Sequence, residues 1–144
     1  MHNLKLPKDL LNLCVSYLTE EEIIYSEGNY NKFSDDDICE IAAKYGWVDL
    51  FIWIQNKETT QNRYIPDKRI ICIDAALYGH LDIIKWAKKN GTPWYTSEWI
   101  CSAAAFSGNF DILKWAKNNG CELGAWTCAY AALNGNFEMV KWLI

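Results

Sequence analysis

Six cysteines, two histidines and eight tryptophans are the residues from which this 144-residue chain could build metal, thiol or aromatic-cage chemistry. A zinc site needs ligands at short, fixed spacings such as Cys-x-x-Cys or paired histidines. The sequence has no Cys-x-x-Cys, and its histidines, His2 and His80, lie far apart. Four of the cysteines recur in phase: 33 residues from Cys39 to Cys72, 29 from Cys72 to Cys101 and 27 from Cys101 to Cys128. Cys14 and Cys121 fall outside that phase and have no evident partner. The glycines are spaced by the same repeat and form no phosphate-binding loop. No catalytic constellation, metal site or cofactor is expected.

The elements that carry these residues are copies of one another. Cys101, Ala104, Ala105, Gly108, Asn109, Asp111, Lys114 and Trp115 recur as Cys128, Ala131, Ala132, Gly135, Asn136, Glu138, Lys141 and Trp142. They recur earlier as Cys72, Ala75, Ala76, Gly79, His80, Asp82, Lys85 and Trp86, and more weakly from Cys39 to Trp53. Cys to Gly is seven residues and Gly to Trp is seven again, so all the variation lies between one Trp and the next Cys. Self-similarity at such a period marks a solenoid.

Each copy reads as a helix pair. Cys and Ala-Ala give the first helix a small face suited to close packing, and Ala is the best helix former. Gly46, Gly79, Gly108 and Gly135 follow, where a left-handed residue ends the helix. An acid (Asp49, Asp82, Asp111, Glu138) opens the second helix at the positive end of its dipole. Apolar residues at helical spacing continue it, and Asn90-Gly91 and Asn119-Gly120 stop it. Helical phase sets Trp53, Trp86, Trp115 and Trp142 among apolar neighbours, so they read as packing residues; Lys85, Lys114 and Lys141 before them read as solvated. Stacked repeats stand roughly 10 Å apart, whereas a disulfide needs Cα atoms within about 7 Å. The frame cysteines are therefore expected to be small buried hydrophobes, and all six thiols to be free.

Ala75-Ala76-x-x-Gly79-His80-Leu81-Asp82-Ile83-Ile84-Lys85, closed by Gly91, resembles an ankyrin repeat. Asn90-Gly91-Thr92-Pro93-Trp94 and Trp126-Thr127-Cys128-Ala129 are similar to a Trp- and Cys-rich ankyrin variant of giant viruses and protists. The usual Thr-Pro-Leu-His start is replaced by Ile70-Ile71-Cys72-Ile73 and its counterparts, and the connectors before Cys101 and Cys128 are shorter than that family's. The resemblance implies an all-α, ankyrin-like solenoid of four helix pairs preceded by an N-terminal helical segment. A projecting finger is plausible in the longest connector, Lys57–Arg69, which also reads as a solvated loop. The resemblance gives His80 a capping role, with Asn in its place in repeats three and four. It implies a non-enzymatic scaffold that binds another protein on its concave face. In that family the two residues after Ala-Ala face the partner, here Lys44, Tyr45, Leu77, Tyr78, Phe106, Ser107, Leu133 and Asn134. Trp94, Tyr95 and Trp99 are aromatic candidates beside them, since such residues dominate interface hot spots; for Trp99 the preferred reading is cover for the seam between repeats.

Residues 1–33 do not fit the frame. Leu6-Pro7-x-Asp9-Leu10-Leu11 starts a helix with Pro in the first turn, and Thr19 with Glu22 forms a capping box. The string from Leu6 to Leu18 resembles the first helix of an F-box, with Cys14 in place of the usual Ile and a poor match beyond. That implies docking of a Skp-type adaptor through Leu6, Pro7, Leu10 and Leu11, and a substrate receptor for a cullin ubiquitin ligase. The plain alternative is a helical cap over the first repeat. The chain thus divides into 1–33, then repeats 34–66, 67–95, 96–122 and 123–144. It ends on an apolar second helix, Trp142-Leu143-Ile144, which reads as part of a longer array because a terminal repeat needs a polar outer face. The net charge of −4 gives no general pull toward nucleic acid or anionic membrane. No apolar run reaches the ~18 residues of a membrane span. The start lacks a signal-peptide core, so an intracellular setting is expected, the host cytoplasm if the chain is viral.

Overall fold

The computed structural model describes residues 35–52, 68–92 and 98–144. They form four helix pairs: α1 (Asp35–Tyr45) with α2 (residues 48–52), α3 (Lys68–Tyr78) with α4 (Leu81–Lys89), α5 (Glu98–Phe106) with α6 (Phe110–Asn118), and α7 (Ala125–Leu133) with α8 (Phe137–Leu143). No strand occurs among the described residues. The first helices α1, α3, α5 and α7 lie side by side in a row, and in repeats two to four each second helix packs on its own first helix. This is the all-α, ankyrin-like helical-repeat fold that the frame implies. The N-terminal helical segment, with Leu6, Pro7, Leu10, Leu11 and Cys14, lies outside the described residues, as does most of the Lys57–Arg69 connector.

The frame is legible as a packing rule. Ala42, Ala43, Ala75, Ala76, Ala104, Ala105 and Ala131 have no exposed surface, and neither do Cys72 and Cys101. Small side chains at these places let successive first helices approach. Leu50 and Phe51, Ile83 and Ile84, Ile112 and Leu113, and Met139 fill the space beneath them from the second helices. Burying each such side chain stabilises the stack by ~1.5–3 kcal/mol relative to leaving it in water.

The turns repeat as closely as the core. The residue after each turn glycine donates its N–H to the first Ala of the preceding pair: Trp47 to Ala42 (2.9 Å), His80 to Ala75 (2.8 Å), Asn109 to Ala104 (2.8 Å) and Asn136 to Ala131 (3.1 Å). This closure holds the glycine at positive φ, from +66° at Gly135 to +89° at Gly79, where any residue with a Cβ is strained. At the second-helix stops, Asn90 and Asn119 donate Nδ2 to the carbonyls of Trp86 and Trp115, each at 2.8 Å.

The expectation of six free thiols is corrected. Cys101 and Cys121 are joined in a disulfide with their Cα atoms 6.8 Å apart. The stacking distance that keeps Cys101 from Cys72 and Cys128 does not govern Cys121. Cys121 lies outside the Cys-Ala-Ala frame, just past the α6 stop, where the chain turns back beneath the first helix of its own repeat. Thr92 holds the same place one repeat earlier and is also buried. Cys39 and Cys72 are buried and Cys128 is exposed.

The fourth repeat differs from the others on one side. Cys128 and Ala132 are exposed, whereas their counterparts Cys72, Cys101, Ala76 and Ala105 are covered by the following repeat. On α8, Phe137 is exposed and Val140, Trp142 and Leu143 are half-buried.

Candidate partner-binding face

Along each first helix, the residues two before the frame Cys, two after it, and five and six after it share the face turned away from the core. On α3 these are Ile70, Asp74, Leu77 and Tyr78; on α5, Trp99, Ala103, Phe106 and Ser107; on α7, Trp126, Tyr130, Leu133 and Asn134. The i, i+4, i+7 spacing sets them in line. Ile70, Trp99 and Trp126 are 58%, 62% and 59% exposed, and Tyr78, Phe106 and Leu133 are exposed at the other end of the same helices. Successive helices thus present a strip of exposed apolar residues, interrupted on α3 by Asp74. Its rings are mutually ordered: Phe106 meets Tyr130 edge-on at 5.3 Å, and Tyr130 stacks with Trp126 at 5.9 Å.

Six of the eight sequence-derived candidates after Ala-Ala border this strip on α3, α5 and α7. Leu77 is half-buried; Tyr78, Phe106, Ser107, Leu133 and Asn134 are exposed. Lys44 and Tyr45 lie at the end of α1, both half-buried, with the Lys44 ammonium 5.3 Å from the Tyr45 ring centre and that ring stacked on Trp47. Trp94 and Tyr95 lie outside the described residues. Trp99 is corrected: it belongs to the first turn of α5 and stands open on the strip, not over a seam. Trp126 and Tyr130, spaced by four on α7, share this face although they are not among the sequence-derived candidates.

The seams beneath this face are held by polar side chains. His80 donates Nε2–H to the Lys44 carbonyl across the first seam (2.8 Å). Asn109, in the same frame place, donates to the Ala76 carbonyl (2.9 Å) and to Ser107 Oγ (2.7 Å). Asn136 does something else: its Oδ1 accepts from the Met139 N–H (3.0 Å), capping its own helix. Asn134 takes over the third seam, donating to the carbonyls of Ala105 (3.0 Å) and Phe106. The capping role of His80 is therefore refined, because the ring caps the previous repeat's first helix and makes no side-chain bond to its own. The turn glycines make room for these locks. A Cβ at Gly46 would overlap the His80 ring, and one at Gly79 would lie 3.2 Å from Asn109 Oδ1, whereas at Gly108 nothing is near. On the second-helix row, Lys88 lies over the Trp115 ring (5.9 Å) and Lys117 over Trp142 (4.4 Å), so one repeat's lysine covers the next repeat's tryptophan.

Acidic charge meets the strip at one place. Asp74 sits between Ile70 and Tyr78 on α3, and Glu40 of α1 is its neighbour across the seam. Burial first, and then the Glu40 charge, push the Asp74 carboxyl above its ordinary range. Among the described residues no group of three or more His, Cys, Asp and Glu side chains could hold a metal ion, and no helix is long and apolar enough to cross a membrane.

No curated protein and no solved structure matches the chain. Residues 100–144, which carry α6 to α8 and most of α5, match the family described as ankyrin repeats (many copies), and the helix pairs that precede them extend the same frame.

Proposed function

We propose that the chain is a non-enzymatic scaffold that binds a partner protein on the open face of its first-helix row. Ankyrin repeats are in general protein–protein interaction modules, and the resemblance makes this face the concave one. The observation that carries the reading is the exposed apolar strip of Ile70, Trp99, Phe106, Trp126 and Leu133. Large exposed apolar side chains that recur on one face across several elements tend to mark an interaction site, and Trp and Tyr are enriched among hot-spot residues. The residues proposed to meet the partner remain Lys44, Tyr45, Leu77, Tyr78, Phe106, Ser107, Leu133 and Asn134, with Trp94 and Tyr95. To these we add Trp99 and Trp126, which are 62% and 59% exposed on the same face. The test is a pull-down with the chain as bait, repeated with Trp99→Ala and Trp126→Ala. Partners that survive both substitutions bind elsewhere and refute the reading.

A second reading rests on the string Leu6-Pro7-x-Asp9-Leu10-Leu11 alone. In it the repeats present a substrate while Leu6, Pro7, Leu10 and Leu11 engage a Skp-type adaptor of a cullin ubiquitin ligase. Loss of adaptor co-purification on Leu10→Ala and Leu11→Ala supports it; an intact chain that captures no adaptor removes it. The scaffold reading carries an intracellular setting, the host cytoplasm if the Trp- and Cys-rich likeness to giant-virus arrays reflects the source. Fractionation of cells expressing the chain tests that.

A further inference from the structure

We infer that the open first-helix face takes a peptide segment in which a lysine or arginine is flanked by aromatic or aliphatic residues, with the cation seated at Asp74 and Glu40 and its neighbours on the Trp99–Trp126 strip. The inference rests on the proposed partner-binding face and specifies what that face recognises.

Three observations lead to it. The strip is uneven in charge. Between Glu98 and Phe106 and between Ala125 and Leu133, neither helix carries a Lys or Arg, so repeats three and four offer the partner apolar surface without cations. The positive charge of these repeats lies instead on the second helices, where Lys114 and Lys117 lie over aromatic rings and Lys141 pairs with Glu138. The strip is also uneven in height. Between the levels of Trp99 and Phe106, α5 presents only the methyl group of Ala103, whereas the equivalent place on α7 holds Tyr130 and on α3 holds Asp74. A long side chain can lie over Ala103 with its stem against Trp99 or Phe106 and reach Asp74 with its head. Finally, two carboxylates neighbour each other there. Asp74 is half-buried, and its carboxyl is held up by burial and by Glu40.

A cation reverses each of these conditions. It neutralises two like charges set close together, and aromatic faces attract it further. Arg fits best, because its planar guanidinium bonds carboxylate and stacks on rings at once. An acidic segment meets repulsion at the same place, so the surface selects by exclusion as well as by attraction.

The experiment pans a displayed library of random twelve-residue peptides on the immobilised full chain. Selected peptides are then synthesised and titrated against the parent, Asp74→Asn/Glu40→Gln, and Trp99→Ala/Trp126→Ala. Enrichment of Arg or Lys between aromatic and aliphatic residues is expected. Affinity should fall about tenfold or more on Asp74→Asn/Glu40→Gln, as when one partner of a close interfacial charge pair is removed. A version of the same peptide with Gln for the basic residue should bind the parent and that variant equally. Melting curves of both variants establish that they fold. Peptides that need Trp99 and Trp126 but show no basic preference overturn this inference and leave the face as a binding site. Peptides indifferent to Trp99→Ala/Trp126→Ala, or a library that yields none, overturn the face itself and the inference with it.

Discussion

Replacing a turn glycine by alanine should have different effects at Gly46 and Gly108, although both occupy the same frame place and share nearly the same backbone angle. Gly46 has φ +74° and Gly108 has φ +76°. An alanine there meets the same left-handed penalty in each case, about 1–2 kcal/mol. At Gly108 nothing lies within 4 Å of an added Cβ, so that penalty is the whole effect. At Gly46 the Cβ would overlap the imidazole of His80, which must move away from the Lys44 carbonyl that it bonds at 2.8 Å. Losing that bond adds ~1 kcal/mol, for a total of about 2–3 kcal/mol at Gly46. Gly79→Ala should fall between them, since Asn109 Oδ1 at 3.2 Å has to give only slightly.

Urea unfolding of the three single variants measures these differences, and hydrogen exchange of the α1 amides shows whether the loss is confined to the first seam. The decisive comparison is a double-mutant cycle. In a His80→Ala background the obstruction is gone, so Gly46→Ala should there destabilise no more than Gly108→Ala does in the parent, leaving a coupling of ~1 kcal/mol. Equal losses at Gly46 and Gly108, or a Gly46→Ala effect unchanged by removing His80, would refute the view that turn glycines make room for the next repeat's polar side chain.

Four further outcomes are expected. Asp74→Asn should raise the melting temperature at pH 7, because the folded carboxyl is pushed above its ordinary range and its ionised form is disfavoured there. The native state takes up its proton first as pH falls, so the parent regains stability through that raised pKa and the advantage of Asn disappears below about pH 4; an advantage that persists in acid contradicts the assignment. Ser102 Oγ and Thr127 Oγ1 are buried 3.3 Å apart. Ser102→Ala should therefore destabilise by ~1–3 kcal/mol, and adding Thr127→Val should give less than the sum of the two single losses in thermal melts. Thr92 Oγ1 is buried with no hydrogen-bond partner among the described residues, so Thr92→Val should stabilise by up to ~1 kcal/mol, and a lower melting temperature would mean that the hydroxyl has a partner. Hydrogen exchange should be faster in residues 137–144 than in α4, because Phe137 and Ile144 are 77% and 96% exposed while Ile83 and Ile84 have no exposed surface; equal protection in dilute protein would contradict this.

The helix pairs were legible because packing repeats itself exactly where the letters do. A fully buried place where successive first helices approach closely favours Cys or Ala, and a turn at positive φ strongly prefers Gly, so physics reduces both to a nearly constant symbol. The seam locks were not legible, because Asn109 and Asn136 are the same residue at the same frame place and bond in opposite directions. What decides between them is the neighbour two residues earlier. Ser107 donates its hydroxyl across the seam to the Ala76 carbonyl (3.1 Å) and accepts from Asn109, which bonds the same carbonyl, whereas at the next seam Asn134 crosses and Asn136 caps α8. The Cys101–Cys121 pairing escaped for a related reason: repeat spacing governs contacts between equivalent places, and Cys121 has a frame counterpart only in Thr92. Lys88 and Lys117 stand two residues after a frame Trp and cover the next one, a regularity that is present in the sequence yet has no meaning until the repeats are stacked.

The same division explains how this fold can carry recognition. Frame places are saturated: adding a methylene at Ala76 or Ala105, each without exposed surface, forces the first helices apart, and overpacking of that kind destabilises by ~1–3 kcal/mol. Face places are not coupled to that spacing. Asp74, Ala103 and Tyr130 hold one frame position with three unrelated side chains, and Ile70 stands where the next two repeats have Trp99 and Trp126, all about equally exposed. Exchange at an exposed place away from such packing changes stability by only ~0.5 kcal/mol. Charge, ring and methyl can therefore be set independently in each repeat, and the pattern across the row, with the carboxylates Glu40 and Asp74 on α1 and α3 and rings on α5 and α7, is a property that the frame neither requires nor opposes.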